Sequence, residues 1–384
     1  MKFNSMRNWA LVGAGVLLLT GGCTGKRATS PDSTPAETRD TLTYSNPLPV
    51  RFGDPYVLLA SDGKYYMYGT GDGAVDGFRA YSSDDLVHWK TEGQVYRGNT
   101  PDSWAVANFW APEVYERNGR YYMLFSADWR HNPTHEEENF RIGVAVADKP
   151  TGPFKELSDK PLFDPGYPAI DGNLIEDEAG RLYLYYSRCC YKHPVESEIA
   201  DKARREGKFD KVEESWIYGV EVAPDLTHII GEPVLLLRPP VKLDDAQSEW
   251  ESRSVTRGEV GRRWTEGSFM LRHDGRFYMM YSANFFGGAN YAVGYAVSEH
   301  PLGPFKKSDS NPILEQNADK GGIVTGTGHN SVTWSRDGKQ MYCVYHGRTN
   351  KTGDERVVFI DKMHFEPDGR LVVEGPTTDK QTIE

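Results

Sequence analysis

Three carboxylates occupy the same place in a repeated pattern. Asp54, Asp171 and Glu266 each stand nine residues before the glycine of a short turn, at Gly63, Gly180 and Gly275. The same count back from Gly119 and Gly338 gives Trp110 and His329, so five matching positions hold three acids, an indole and an imidazole. Each acid has small or apolar neighbours, in FGDPY, AIDGN and WTEGS, as suits a carboxylate at the bottom of a pocket. Taken singly, an acidic residue at a strand start is a common solvated turn residue. Three in one register are harder to explain by folding, because gathering like charges is unfavourable. Such a set offers general acid–base chemistry, in which neighbours keep one carboxyl protonated and another ionised at the same pH.

The elements that must position them are five hairpins. They read YVLLASDGKYYMYGT from Tyr56, VYERNGRYYMLFSA from Val114, NLIEDEAGRLYLYYS from Asn173, SFMLRHDGRFYMMYS from Ser268 and SVTWSRDGKQMYCVYH from Ser331. Asp-Gly, Asn-Gly and Ala-Gly pairs between apolar runs are strong hairpin signals. Each hairpin is followed by material for two outer strands, clearest in the near copies RIGVAVADKPTGPF from Arg141 and AVGYAVSEHPLGPF from Ala292. Four strands repeated five times predict an all-β, five-bladed β-propeller with four-stranded antiparallel blades over residues 43–384. Innermost strands line the axis of a propeller, so the five matching positions should ring one mouth of the channel. The stretches Glu196 to Glu214 and Pro239 to Arg263 lengthen the third interval and read as loop insertions over one face.

The N-terminus stands apart. Lys2 and Arg7 precede an apolar run from Trp9 to Thr20, then Gly21, Gly22 and Cys23, which resembles a lipoprotein-type signal over 1–22 with Cys23 lipidated after export. Residues 23–42, rich in Ser, Thr, Pro and charge, are expected to be a disordered tether. The chain is expected to be exported and membrane-anchored, on the periplasmic or outer-membrane face. Cys189, Cys190 and Cys343 make no disulfide framework and read as buried small residues. Zinc motifs are lacking, since His135-Glu136-Glu137 has no second histidine. The 38% apolar content with 12% aromatics suffices for a sizeable core. A formal net charge of −11 argues against a nucleic-acid partner and for a neutral one.

Over residues 44 to 375 the sequence resembles glycoside hydrolase family 43. The carrying motifs are Asp54-Pro55, the WAPE segment Trp110 to Glu113, AIDGN around Asp171, TEGSF around Glu266 and GTGHNSV around His329. The resemblance implies inverting hydrolysis of pentosyl linkages in plant saccharides, with Asp54 as general base, Glu266 as general acid and Asp171 as the group that raises and orients the acid. A third carboxylate beside Glu266 would raise it by like-charge repulsion. Inverting enzymes leave about 6.5–9.5 Å between acid and base for the attacking water, a gap that opposite sides of a narrow ring supply.

The remaining ring positions carry paired readings. Trp110 either stacks on a sugar face or fills the channel wall. His329 resembles the family histidine that in some members holds calcium largely through waters; the chemistry itself requires no cofactor. Arg348, in YHGR, either reaches sugar hydroxyls or makes a structural ion pair. Trp264, Phe285 and Phe286 lie near the acid motif and are either rim or core. GTGDGA from Gly69 and GTGHNS from Gly326 look like nucleotide loops, yet neither opens a helix in a βαβ unit, and both are expected to be turns. An exo-acting α-L-arabinofuranosidase or β-D-xylosidase on arabinosyl- or xylosyl-containing saccharides is the expected activity. An endo-arabinanase, a non-catalytic carbohydrate-binding propeller, and a phosphorylase using Arg262 and Arg263 for phosphate are the alternatives.

Overall fold

The structure, a computed structural model, describes residues 42–133, 135, 138–189 and 193–383. The signal, Cys23, most of the tether and Cys190 lie outside the described residues. Five antiparallel sheets follow one another along the chain, each with its four principal strands paired in sequence order. Their innermost strands are Phe52–Leu59, Ala105–Arg117, Ala169–Glu176, Thr265–His273 and Val324–Trp334. Each touches the next, and the fifth touches the first, which closes the ring. The expected five-bladed propeller is the fold.

Burial explains why the second strand of each hairpin reads as an unbroken apolar run. Successive strand residues point to opposite faces of a sheet, and every blade is covered on both faces by its neighbours. In the first blade Tyr66 and Tyr68 join the core shared with the second, while Tyr65 and Met67 join the core shared with the fifth. In the fourth blade Phe277, Met279 and Tyr281 face one neighbour, and Tyr278 and Met280 face the other. Cys189 and Cys343 are buried, as expected.

The two ends of the described chain are stitched to the fifth blade. Thr43–Tyr44 pairs with Gln381–Thr382. Leu48 and Val50 exchange main-chain hydrogen bonds with Val358. The Asn46 side chain both accepts from and donates to the main chain of Ile360, at 3.0 and 2.9 Å.

The insertions fold into small helices that dock together. Glu198–Arg205 is capped by Ser197, whose Oγ accepts from the Ala200 N–H at 3.1 Å. Ile199, Ala200 and Ala203 of that helix pack with Val212 and Val255, the latter from the short helix Arg253–Thr256. Beneath them the strand Arg262–Arg263 runs parallel to Glu213 and Glu214. There Arg263 and Glu214, both fully buried, form an ion pair at 2.5 Å.

Candidate active site

Each innermost strand is interrupted near its start by a break in register with its hairpin partner, between Gly53 and Tyr56, Trp110 and Glu113, Ile170 and Asn173, Glu266 and Phe269, and Gly328 and Ser331. One residue in each break takes positive φ: Asp54 (52°), Ala111 (45°), Asp171 (61°), Gly267 (58°) and His329 (48°). Bulges of this kind re-aim side chains beside active sites. They also show that counting from the turn glycine is one residue out of step in two blades. Asn118-Gly119 and Asp274-Gly275 are two-residue turns between paired Arg117/Arg120 and His273/Arg276, whereas the other three hairpins have longer loops. Trp110 and Glu266 therefore precede the bulged residue that Asp54, Asp171 and His329 occupy. The acidic residue in that earlier position is a glutamate, one methylene longer than the aspartates.

A ring of interblade hydrogen bonds fixes the bulges. The N–H of Ala111 donates to Thr70 Oγ1 at 2.8 Å, that of Asp171 to Ser126 Oγ at 3.0 Å and that of His329 to Ser282 Oγ at 2.7 Å. The N–H of Asp54 donates to His346 Nδ1 at 3.1 Å, and that of Gly267 to Asp171 Oδ2 at 3.0 Å. Each acceptor belongs to the blade before, so the five ring positions are held relative to one another. Gly267 also permits close approach, since a Cβ there would stand 3.1 Å from the His329 ring at an unfavourable φ.

The three carboxyls meet at this mouth in contrasting surroundings. Asp54 Oδ1 lies 2.9 Å from Arg356 Nη1 and 3.2 Å from His329 Nδ1, and Oδ2 accepts from Thr70 Oγ1 at 2.6 Å. Burial pushes its pKa up, but Arg356, His329, His346 and the Thr70 hydroxyl outweigh it, and the net direction is well below the ordinary carboxylate range. Glu266 is the opposite. Burial and then the charge of Asp171 drive it well above the usual range, only partly relieved by Tyr291, whose hydroxyl donates to Oε1 at 2.8 Å. Asp171 is also pushed up, first by burial, with His329 pulling the other way. Of the two, Glu266 keeps the proton. Asp171 Oδ2 takes the Gly267 N–H and, at 3.1 Å, the Ser187 hydroxyl, donors that favour the ionised form.

The other expected residues divide. Trp110 is half-buried and packs on Phe140 at 4.1 Å between ring centroids, beside Ile170 and Cys189, so it builds wall while keeping some open surface. Arg348 commits Nε to the carbonyl of Asp354 at 3.0 Å and Nη1 to that of Phe286 at 2.9 Å, which makes it a clamp between loops. Phe286 is exposed, with the Arg356 guanidinium 5.1 Å from its ring centroid, whereas Trp264 is buried. Arg263 is consumed by Glu214, Pro240 and Ser252, and Arg262 lies 3.2 Å from Glu213, so neither supplies the phosphate site a phosphorylase needs. Around His329 the donors do not suit directly bound calcium, which takes six to eight oxygens. Its Nδ1 faces a carboxylate oxygen that already meets a guanidinium, and no group of three or more potential metal ligands occurs among the described residues.

Sequence reasoning missed Arg356, Tyr291, His346 and the hydroxyl ring. It also gave no role to Glu113, half-buried in the WAPE segment, which accepts from Asn173 at 2.8 Å and from Tyr115. Burial raises Glu113 to about 8 despite those donors.

Comparison with known proteins identifies a family. The family model described as Glycosyl hydrolases family 43 matches residues 44–371. A xylosidase/arabinosidase of Bacteroides ovatus is 27% identical over 84% of this chain and 94% of its own length. The β-D-galactofuranosidase xynD of Aspergillus niger is 28% identical over 88% of this chain and 86% of its own. A thermostable family-43 glycoside hydrolase of known crystal structure superposes with a TM-score of 0.74, at 36% identity over 88% of this chain and 98% of that one.

Proposed function

The chain belongs to glycoside hydrolase family 43, and from that premise we propose that it releases terminal arabinofuranosyl or xylosyl residues by a single displacement at Asp54, Glu266 and Asp171. In this reading Glu266 gives its proton to the glycosidic oxygen while Asp54 takes one from the water that attacks the anomeric carbon from the opposite face, inverting its configuration. Asp171 keeps Glu266 protonated until transfer. The observation that carries the reading is the contrast between the two carboxyls, Asp54 paired with the Arg356 guanidinium and Glu266 buried beside another acid. Such a split is what acid–base catalysis at one pH requires. The acid and base also stand on non-adjacent blades, the fourth and the first, which favours room for water between them.

Exo action is supported by the insertions. Ser254 donates twice to Asn284, at 3.0 and 3.1 Å, and Arg257 donates to Asn290 at 2.6 Å, so the insertion buttresses the loop carrying Phe285 and Phe286 beside the acid. A buttressed rim suits a closed pocket better than an open groove. The named activities of relatives, a xylosidase/arabinosidase and an extracellular exo-α-(1→5)-L-arabinofuranosidase of Streptomyces chartreusis, 25% identical, favour pentosyl substrates. The Lys2 to Cys23 segment supports export and anchoring by lipid on Cys23; a Cys23→Ala chain is expected to leave the membrane fraction.

The test is nitrophenol release from α-L-arabinofuranoside and β-D-xyloside by the folded domain, beside Glu266→Gln. Activity on at least one sugar, falling by about 10²-fold or more in the variant, is expected. Wild-type activity in the variant would remove Glu266 from the acid's role.

A further inference from the structure

The groups that hold the acid and the base are joined to each other by a pair of stacked rings. Tyr291 is fully buried, and its hydroxyl donates to Oε1 of Glu266 at 2.8 Å. Burial and the carboxyl of Glu266 hold the phenol well above its ordinary pKa, so it remains a donor throughout. Its ring lies 5.5 Å from that of His346 with 13° between planes. Gly328 presses on the same ring, where a Cβ would approach to 2.3 Å. His346, also fully buried, accepts the N–H of Asp54 on Nδ1. This bond requires the tautomer with its proton on Nε2, an atom with no hydrogen-bond partner among the described residues.

We propose that Tyr291 is a positioning residue for hydrolysis: by occupying Oε1 of Glu266 it leaves Oε2 as the oxygen that delivers the proton, and through its stack on His346 it sets the acid against the base. A neutral carboxyl accepts best on its carbonyl oxygen, so a fixed donor at Oε1 assigns the O–H to Oε2. Without that donor either oxygen can carry the proton, and the carboxyl is free to rotate away from the scissile bond. The inference rests on the reading of Glu266 as acid and Asp54 as base.

Leaving-group dependence tests it. Dinitrophenolate departs with little protonation, whereas an alcohol or sugar leaves only if protonated. For Tyr291→Phe, which keeps the ring and the stack, kcat on a glycoside with an alkyl leaving group should fall about 10- to 100-fold. On the dinitrophenyl glycoside it should stay within about twofold, with KM little changed on both. Tyr291→Leu, which also removes the stack, should slow both substrates because the contact behind the base is lost as well. Equal rates for Tyr291→Phe and the wild type on both substrates, or equal losses on both, would overturn the proposal. Glu266→Gln assayed alongside separates the two levels. If it keeps wild-type rates on the alkyl glycoside, the assignment of the acid fails and the proposal with it; if it loses them while Tyr291→Phe does not discriminate, only the proposal fails.

Discussion

Arg356 Nη1 stands 2.9 Å from Asp54 Oδ1 across 302 residues of sequence, and this contact does most among neighbouring groups to keep Asp54 ionised in a buried pocket. Replacing Arg356 with Met removes that charge. The pKa of Asp54 then rises, so the base is protonated at higher pH than before and the acidic limb of kcat/KM moves upward. Each unit of movement lowers the ionised fraction about tenfold on that limb. A pH profile of the variant checks this, and an unmoved acidic limb would separate Arg356 from the base.

Asp171→Asn makes the opposite change at the acid. Losing the like charge lets the pKa of Glu266 fall, so the acid deprotonates sooner as pH rises and the basic limb moves down. A loss of about 10²-fold in kcat near neutral pH is expected on substrates with poor leaving groups. The measurement is again the pH dependence of kcat/KM, in which the acidic limb should shift much less.

The raised pKa of Glu266 also affects stability. Its folded value lies above its unfolded one, so the native state binds more protons in the interval between them and loses stability as pH rises through it. Below the unfolded value the difference vanishes. Glu266→Gln carries no such proton, so it should match the wild type near pH 4 and melt higher at neutral pH by roughly 3 °C or more. Thermal melts across pH would show this as diverging curves.

Arg263 and Glu214 predict a different asymmetry. Removing one partner leaves a buried charge, so Arg263→Met should cost about 3–5 kcal/mol in urea denaturation. Arg263 also bonds the carbonyl of Pro240 at 2.8 Å and the Ser252 hydroxyl at 3.0 Å, which fasten the insertion. Pairing the change with Glu214→Leu should recover part of the loss.

Much of this was legible because propeller blades repeat. The turn glycines carried the register, and the three carboxylates fell into it even though Glu266 is one residue out of step with the aspartates. The offset was hidden because the two-residue turns and the longer loops all carry a glycine. Two hydroxyls beside the carboxylates left a readable signal: Thr70 and Ser187 each follow their aspartate by 16 residues and bond to it. Arg356 left none, since it reaches Asp54 only when the last blade closes against the first, and no local pattern encodes a contact made by ring closure. Arg348, conspicuous beside His346 in YHGR, drew attention that Arg356 deserved, and its guanidinium is bound to main-chain carbonyls instead. Tyr291 was hidden for a similar reason, as one aromatic among many whose hydroxyl alone distinguishes it.

The most direct test of the central claim is the configuration of the first sugar released. Proton NMR during early turnover of a hydrolysed β-D-xyloside or α-L-arabinofuranoside reads the anomer before mutarotation obscures it. A water activated by Asp54 opposite Glu266 predicts the inverted anomer, α-xylose or β-arabinofuranose. First release of the retained anomer would contradict the account, because it requires one of these carboxylates to act as a nucleophile in a double displacement.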